Sequence, residues 1–335
     1  MAGDETPRSR GLLTPAQAFA LFLEEPEAAH EISVRAEAMS ERWSHNAIPR
    51  RLIIGLISSL LPIPDFRHPV FERILVGVRS RLAANSCDLL LCSTRSFGVD
   101  DELWRAAAEQ IVAREVDALI AFGISDDDPE YKPILDSGLP VIFVDNDVIG
   151  SHAGSVMSAN VDGMAEVVRH LHETGRRRIA HISGHLGTRP GTDRLFGYKT
   201  ELDRLELPSR PEYVEQGDYF APSGYEAAQR LLALPEPPDA IACASDSMAI
   251  GAMAAIEEAS LRIPEDIAVS GFDDAEFAVT VRPRLTTMRQ DAIGMGTVAA
   301  EAVLRMLKDP EAAPPVVVIP TELIIRESSG PAANN

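Results

Sequence analysis

The stretch PVIFVD, residues 140–145, contains four consecutive apolar residues between a proline and an aspartate. A short run that is apolar at every position is typical of a strand covered on both faces, as in a parallel sheet. Eight further strand candidates, most of them largely apolar, occur in the chain, and segments of helical length such as 71–85 and 101–116 separate most of them. The pattern predicts an α/β fold of doubly wound parallel sheets. The other strand candidates are RLIIGLIS (51–58), CDLLLCS (87–93), DALIAFG (117–123), SVMSAN (155–160), RIAHIS (178–183), YVEQGD (213–218), AIACAS (240–245) and IAVSGFD (267–273).

The alternation of strands and helices starts again after Asn160. Segment 161–175 has the pattern of a helix that ends at Gly175, and the strand candidate 178–183 follows it. Since one sheet holding every strand would be unusually wide, two sheets of about five or six strands are expected. Two sheets imply two lobes with a cleft between them. Ligands of such sheets bind beyond the carboxyl ends of the strands, so residues directly after the strand candidates are candidates for a binding site.

Composition narrows the class of protein. The formal net charge of −20 disfavours contact with nucleic acid unless basic residues are concentrated locally. No apolar run approaches the ~20 residues that cross a bilayer, and the amino terminus lacks the pattern of an export signal, so a cytoplasmic protein without a membrane partner is expected. The sequence contains no serine nucleophile elbow, phosphate loop, zinc-protease motif or CxxC pair. We therefore expect no enzymatic activity, no cofactor and no metal site.

Nine stretches of the chain resemble the LacI/GalR family of transcriptional regulators, in the order and at the spacing of that family. Together they extend from about Arg51 to Gly330. The stretches are RHPVFERILVGV (67–78), GLPVIFVDND (138–147), NVDGMAEVVRHLHETGRRRIAHISG (160–184), RLFGYKTEL (194–202), GDYFAPSGYEAAQRLL (217–232), CASDSMAIGAM (243–253), IPEDIAVSGFDD (263–274), RPRLTTMRQD (282–291) and PTELIIRESSG (320–330).

The resemblance implies a fold and a class of partner. The sensing region of this family is similar to bacterial periplasmic sugar-binding proteins, which have two Rossmann-like lobes, three crossing strands and a ligand in the cleft. The resemblance also implies a homodimer that senses a small sugar-like or nucleoside-like effector. In this chain the crossings are expected near 158–160, near 289–291 and near Pro320. The sensing domain 51–330 is then divided into an amino-terminal lobe of about 51–159 and 291–319 and a carboxy-terminal lobe of about 160–290 and 320–330.

Several polar and aromatic residues are positioned to hold such an effector. A hydroxyl-rich ligand needs charged or amide groups for its hydroxyls and an aromatic ring for its apolar face. Most of the candidates stand at strand ends, and their positions match the ligand contacts of the family. The predicted effector-binding residues are Phe71, Phe122, Asp145, Arg194, Tyr219, Ser245, Asp246, Asp273 and Gln290.

Most of these assignments have a structural alternative. The three aromatic residues could belong to the core, Arg194 could form a surface ion pair, and Gln290 could pair only with backbone. Asp246 could cap the helix that follows it, and Asp274 could do the same for the next helix. Relatives commonly have Asn-Asp where this chain has Ser245-Asp246, which replaces a long amide with a short hydroxyl. We therefore expect an effector other than those of the best-known lactose and purine members.

Residues 1–50 differ from the rest of the chain. They contain helical stretches at 15–22 and 32–43 and no strand signal, which suggests a degenerate or lost DNA-binding headpiece. The family's helix-turn-helix headpiece begins with a TIKDVAxxAGVS-type signature that is absent here. Residues 1–51 contain six arginines and eight acidic residues, whereas a domain that faces many phosphates should be clearly positive. The alternatives are a regulator with a divergent headpiece, a sensor that acts through a partner protein, and a solute-binding protein.

Overall fold

The fold is taken from a computed structural model. The helices predicted within residues 1–50 and at 101–116 lie, except for Val116, outside the residues that the structure describes. The described residues are 51–58, 69–93, 116–124, 131–148 and 152–330.

Two six-stranded sheets dominate the described residues, which confirms the predicted doubly wound α/β class. All nine predicted runs contain a strand, whereas the last three strands have no counterpart among those runs. The strands are β1 (Ile53–Ser58), β2 (Asp88–Ser93), β3 (Ala118–Phe122), β4 (Val141–Val144), β5 (Ala153–Ser158), β6 (Ile179–Ser183), β7 (Val214–Gln216), β8 (Ala240–Cys243), β9 (Ala268–Asp273), β10 (Thr286–Gln290), β11 (Val316–Ile319) and β12 (Thr321–Ile324).

The strand order places two of these three strands, β11 and β12, at sheet edges, whereas β10 lies inside the second sheet. The first sheet has the order β11-β5-β4-β3-β1-β2 and the second the order β12-β10-β9-β8-β6-β7. Strands β11 and β12 therefore lie at sheet edges, where residues are only partly buried, and neither is a fully buried apolar run. Every described pairing is parallel except that of β10 with β12, which is antiparallel.

Seven helices cover the sheets within the described residues. In each sheet the central strands are buried, because helices or loops pack on both faces. None of these helices is both long and apolar enough to span a bilayer. The helices are α1 (Pro69–Ala84), α2 (Tyr131–Asp136), α3 (Asn160–Glu173), α4 (Arg189–Arg204), α5 (Ala221–Leu232), α6 (Asp246–Glu258) and α7 (Ala292–Lys308).

The chain passes from one sheet to the other three times, after Ser158, after Gln290 and after Ile319. The second passage returns α7 to the first sheet, where it packs against α1. A Cβ atom at Gly296 would lie 2.1 Å from the carbonyl oxygen of Ile74, so the two helices meet backbone to backbone. We call the first sheet with α1, α2 and α7 the first lobe, and the second sheet with α3 to α6 the second lobe.

Candidate functional site

Three of the predicted binding residues have an unusual backbone conformation. Asp145, directly after β4, has φ of 62°; Asp273, at the end of β9, has φ of 126°; and Tyr219 has φ of 73°. A residue other than glycine held in such a conformation typically costs about 1–3 kcal/mol and persists only where its surroundings impose it. Conformations of this kind concentrate at binding and active sites. Their occurrence at three strand-end or loop positions points to a site at this edge of the sheets.

Arg194 is the centre of a buried polar cluster in the second lobe. It lies on α4 with 3 % of its surface exposed, so the surface ion pair considered from sequence is wrong. Its Nε donates to Asn160 Oδ1 at 2.8 Å and its Nη1 donates to the carbonyl oxygen of Ala244 at 2.5 Å. The guanidinium carbon lies 3.7 Å from the centre of the Phe272 ring, and Nη1 is 3.9 Å from Asp273 Oδ1. These contacts fix the guanidinium in one orientation.

A chain of two hydrogen bonds links the lobes through Gln290. Its Nε2 donates to Asp273 Oδ1 at 2.6 Å, and its Oε1 accepts from Ser158 Oγ at 2.8 Å. Ser158 ends β5 in the first sheet, whereas the other two residues end β10 and β9 in the second. The Gln290 side chain therefore bonds to side chains in both lobes, and the alternative in which it pairs only with backbone is wrong.

Asp145 and Asn160 each present a buried polar atom without a hydrogen-bond partner among the described residues. These atoms are Asp145 Oδ1, an acceptor, and Asn160 Nδ2, a donor. Buried polar atoms normally have partners. A ligand hydroxyl, which both donates and accepts, has the chemistry to satisfy an acceptor and a donor of this kind.

Burial sets the protonation of the acidic residues in this region. It raises the pKa of Asp145 to about 6, against the lowering effects of the Arg194 charge and of the Ser158 backbone. Burial likewise raises the pKa of Asp273 to about 7, although Arg194 and the hydrogen bond from Gln290 oppose it. Arg194 is thus the cation that opposes the rise in pKa that burial causes in both Asp145 and Asp273.

The capping role that was considered for Asp246 belongs to Ser245. Ser245 caps α6, since its Oγ accepts from Met248 N at 3.2 Å, and the alternative that Asp246 is the cap is wrong. Asp246 is fully buried and accepts from Thr287 Oγ1 at 2.5 Å and from Ala275 N at 2.7 Å. Burial raises its pKa well above the usual range, and the nearby Asp273 adds to the effect. Both side chains already have protein partners.

Asp274 does not cap the short helix that follows it. Its carboxylate pairs with Arg289 Nε at 2.7 Å and with Arg326 Nη2 at 2.5 Å. Burial alone would raise the pKa of Asp274, but the hydrogen bonds from these two arginines lower it below the ordinary value. The adjacent carboxyl groups of Asp273 and Asp274 therefore have opposite pKa shifts.

The aromatic candidates lie in two different places. Phe71 and Phe122 are 1 % and 2 % exposed, with ring centres 5.4 Å apart in the core of the first lobe. This placement favours their core alternative. Tyr219 is half-buried over Gly184, with its hydroxyl 2.8 Å from Thr188 Oγ1, and burial raises its pKa to about 12. Its hydroxyl is therefore neutral across the physiological range.

Sequence reasoning missed residues at the same edge of the sheets. Asn160 opens α3 directly after β5, a strand-end position like those of the predicted residues. Two arginines reach from one lobe to the other: Arg189 Nη1 lies 2.5 Å from Asp147 Oδ2, and Arg73 Nη1 donates to the carbonyl oxygen of Asp273 at 3.2 Å. Nothing local in the sequence marks these two arginines, because each partner belongs to a distant segment.

Among the described residues there is no group of three or more histidine, cysteine or acidic side chains that could hold a metal ion. The histidines have other environments. His181, for example, stacks on Tyr198 with ring centres 5.0 Å apart and pairs through Nδ1 with the carbonyl oxygen of Ala242. Burial lowers its pKa to about 4, so its ring is neutral at physiological pH.

Known proteins are similar to this chain in both sequence and fold. Residues 168–329 match the periplasmic binding protein-like domain. The probable HTH-type transcriptional repressor ExuR of Bacillus subtilis (strain 168) is 33 % identical over 221 residues, which span 66 %, just under two thirds, of each chain. The transcriptional regulator CelR, solved as a complex with cellobiose, is 28 % identical with a TM-score of 0.77, over 87 % of this chain and 90 % of CelR. The lac repressor dimer bound to operator and the anti-inducer ONPF is 27 % identical with a TM-score of 0.73, over 87 % of this chain and 98 % of the repressor.

Proposed function

The chain belongs to the LacI/GalR family of transcriptional regulators, and from this premise we propose that it senses a sugar-like or nucleoside-like effector between its two lobes. The CelR complex, which contains cellobiose, supports a sugar-like ligand. The effector is bound and released without chemical change, in keeping with relatives that are regulators. An effector that contacts both lobes favours the relative position of the lobes in which it makes more contacts. The resulting change in lobe position is the signal.

The observation that carries the proposal is the pair of unpartnered polar atoms beside Arg194. Asp145 Oδ1 comes from the first lobe and Asn160 Nδ2 from the second. A hydroxylated molecule that bonds to both would bridge the lobes. Arg194 and Gln290 hold the surrounding groups in place, and Tyr219 offers an aromatic face. Ser245 and Asp246, also predicted from sequence as contacts, have protein partners and support the site by holding the neighbouring groups in place.

A thermal-shift screen with sugars, sugar phosphates and nucleosides tests the proposal. An effector at a hundred times its dissociation constant should stabilise the protein by about 2.7 kcal/mol. D145N keeps the shape of the side chain but removes its charge, so we expect the shift to shrink or vanish. D136N, an Asp-to-Asn change at an exposed ion pair on α2 of the same lobe, is the matched control and should respond like the wild type. An equal shift in D145N and D136N would remove Asp145 from the site.

We further propose that the regulator is a homodimer, with the lac repressor dimer as the supporting relative. Light scattering of the full chain should give twice the mass of 36.3 kDa. A monomer at all concentrations would contradict this part of the proposal.

The charge of residues 1–51 favours a second candidate, a sensor that acts through a partner protein rather than on DNA. Six arginines against eight acidic residues give this segment little attraction for phosphates. A low-salt binding assay with the DNA upstream of the chain's own coding region separates the candidates. Retention that falls as salt rises supports direct regulation, whereas effector binding without retention supports the partner-mediated sensor.

A further inference from the structure

Apart from the Gln290 bridge, two contacts between the lobes are seen among the described residues, and each begins at an arginine side chain. Arg189 is the first residue of α4 in the second lobe and reaches Asp147, which lies three residues beyond the end of β4 in the first lobe. Arg73, on α1 of the first lobe, donates to the carbonyl oxygens of Asp273 and Asp274 at 3.2 and 3.4 Å. Such contacts exist only while the lobes are close together.

The guanidinium of Arg189 is held ready for this contact by its own helix. Its Nε pairs with Asp193 Oδ1 at 2.8 Å, one turn further along α4, while Nη1 pairs with Asp147 Oδ2 at 2.5 Å. The contact with Asp193 does not depend on the first lobe. Separation of the lobes therefore breaks only the ion pair with Asp147, and Arg189 needs little reordering to form it again.

Solvent exposure makes the Asp147–Arg189 pair suitable for a reversible contact. The two side chains are 43 % and 39 % exposed. Partly exposed groups stay hydrated when they separate, so the lobes can open without burying an unpaired charge. For the same reason the attraction is modest, of the size that shifts an equilibrium about two- to fivefold, and it is screened by salt.

We propose that the Asp147–Arg189 ion pair is a latch that positions the two lobes in their closed arrangement. The latch acts through lobe position and not through contact with the effector, since two guanidinium nitrogens of Arg189 are already bound to carboxylates. Its consequence for effector affinity rests on the proposed function: affinity changes by the factor by which the latch changes the closed population. The latch itself requires no effector.

A distance measurement on the effector-free full chain tests the latch. Spin labels are attached through a ketone-bearing amino acid at position 132 on α2 and at position 199 on α4, one in each lobe, so that the native cysteines remain unlabelled. Pulsed electron paramagnetic resonance then gives the ratio of closed to open molecules. In low salt, D147R and R189D should each lower this ratio about two- to fivefold.

The double variant D147R/R189D decides whether charge pairing is the cause. It should restore the ratio to within about twofold of the wild type, because the reversed pair attracts again. D266R, which breaks the Arg262–Asp266 pair within the second lobe, is the matched charge reversal and should leave the ratio unchanged. Raising NaCl to about 0.5 M should lower the wild-type ratio and raise that of D147R, because salt screens the attraction in the first and the repulsion between two guanidinium groups in the second.

Identical distance distributions for the wild type and D147R in low salt would overturn the latch, as would a double variant no more closed than the single ones. Either result leaves effector binding intact, because the thermal-shift screen measures it separately. A latch that responds as expected in a protein that no tested effector stabilises would count against the proposed function alone.

Discussion

Replacing Asp273 with asparagine is expected to stabilise the protein at neutral pH. The carboxyl group is 6 % exposed, and burial raises its pKa from 3.8 to about 7. The unfolded chain therefore ionises this group more readily than the folded protein does. Its contribution to stability is complete below pH 4 and is lost as the pH rises towards 7. D273N removes the titration but keeps an oxygen that can accept from Gln290.

The size of the effect follows from the pKa shift. A shift of about three units at about 1.4 kcal/mol each amounts to roughly 4 kcal/mol above pH 7, as an upper limit. Loss of the Asp273 charge also lowers the pKa of the neighbouring Asp246, which changes stability in the same direction. Urea unfolding of D273N and wild type at pH 4, 5.5, 7 and 8 measures the difference. We expect it to grow by at most about 1.4 kcal/mol per pH unit and to level off above pH 7.

D274N is the control for this experiment because its neighbouring carboxyl group has the opposite shift. Hydrogen bonds from Arg326 and Arg289 lower the pKa of Asp274, so its contribution is present above the pKa of the unfolded chain and is lost as the pH falls. D274N should therefore be less stable than the wild type at pH 7, and the gap should close in acid. A D273N difference that is constant with pH, or that has the sign of D274N, would refute the reasoning.

Three further substitutions probe separate parts of the structure. R194A should lower the free energy of unfolding by about 3 kcal/mol at pH 8 and abolish effector-induced stabilisation, because it leaves Asp273 buried without its cation. A loss below about 0.5 kcal/mol, measured by urea unfolding, would contradict this. G296A should destabilise by about 1–3 kcal/mol, since a methyl group would lie 2.1 Å from the Ile74 carbonyl oxygen, and an unchanged melting temperature would show that α1 and α7 can separate freely. S245A should cost about 1 kcal/mol through loss of the α6 cap, whereas an unchanged free energy of unfolding would mean that the cap is dispensable.

The sequence by itself determined the fold class and most of the strands. Runs such as 117–123 and 140–145 predict buried strands because most of their residues are apolar, a property that can be read from the residue and its immediate neighbours. The edge strand β12 escaped this reasoning because two of its four residues are polar, whereas β11 is apolar at all four positions although none of them is fully buried. The positions of Asp145 and Asp273 at strand ends were also predictable, since parallel strands present their carboxyl ends at one edge.

Only the tertiary structure decided which side chains meet. Ser158 and Gln290 are 132 residues apart, Arg194 and the Ala244 carbonyl 50 apart, and no local pattern encodes either contact. For the same reason, sequence suggested a helix cap for Asp246, a residue that the fold buries against distant groups. Apolar burial is encoded residue by residue, whereas hydrogen bonds and ion pairs need exact approach of two segments, and that approach exists only once both sheets have packed.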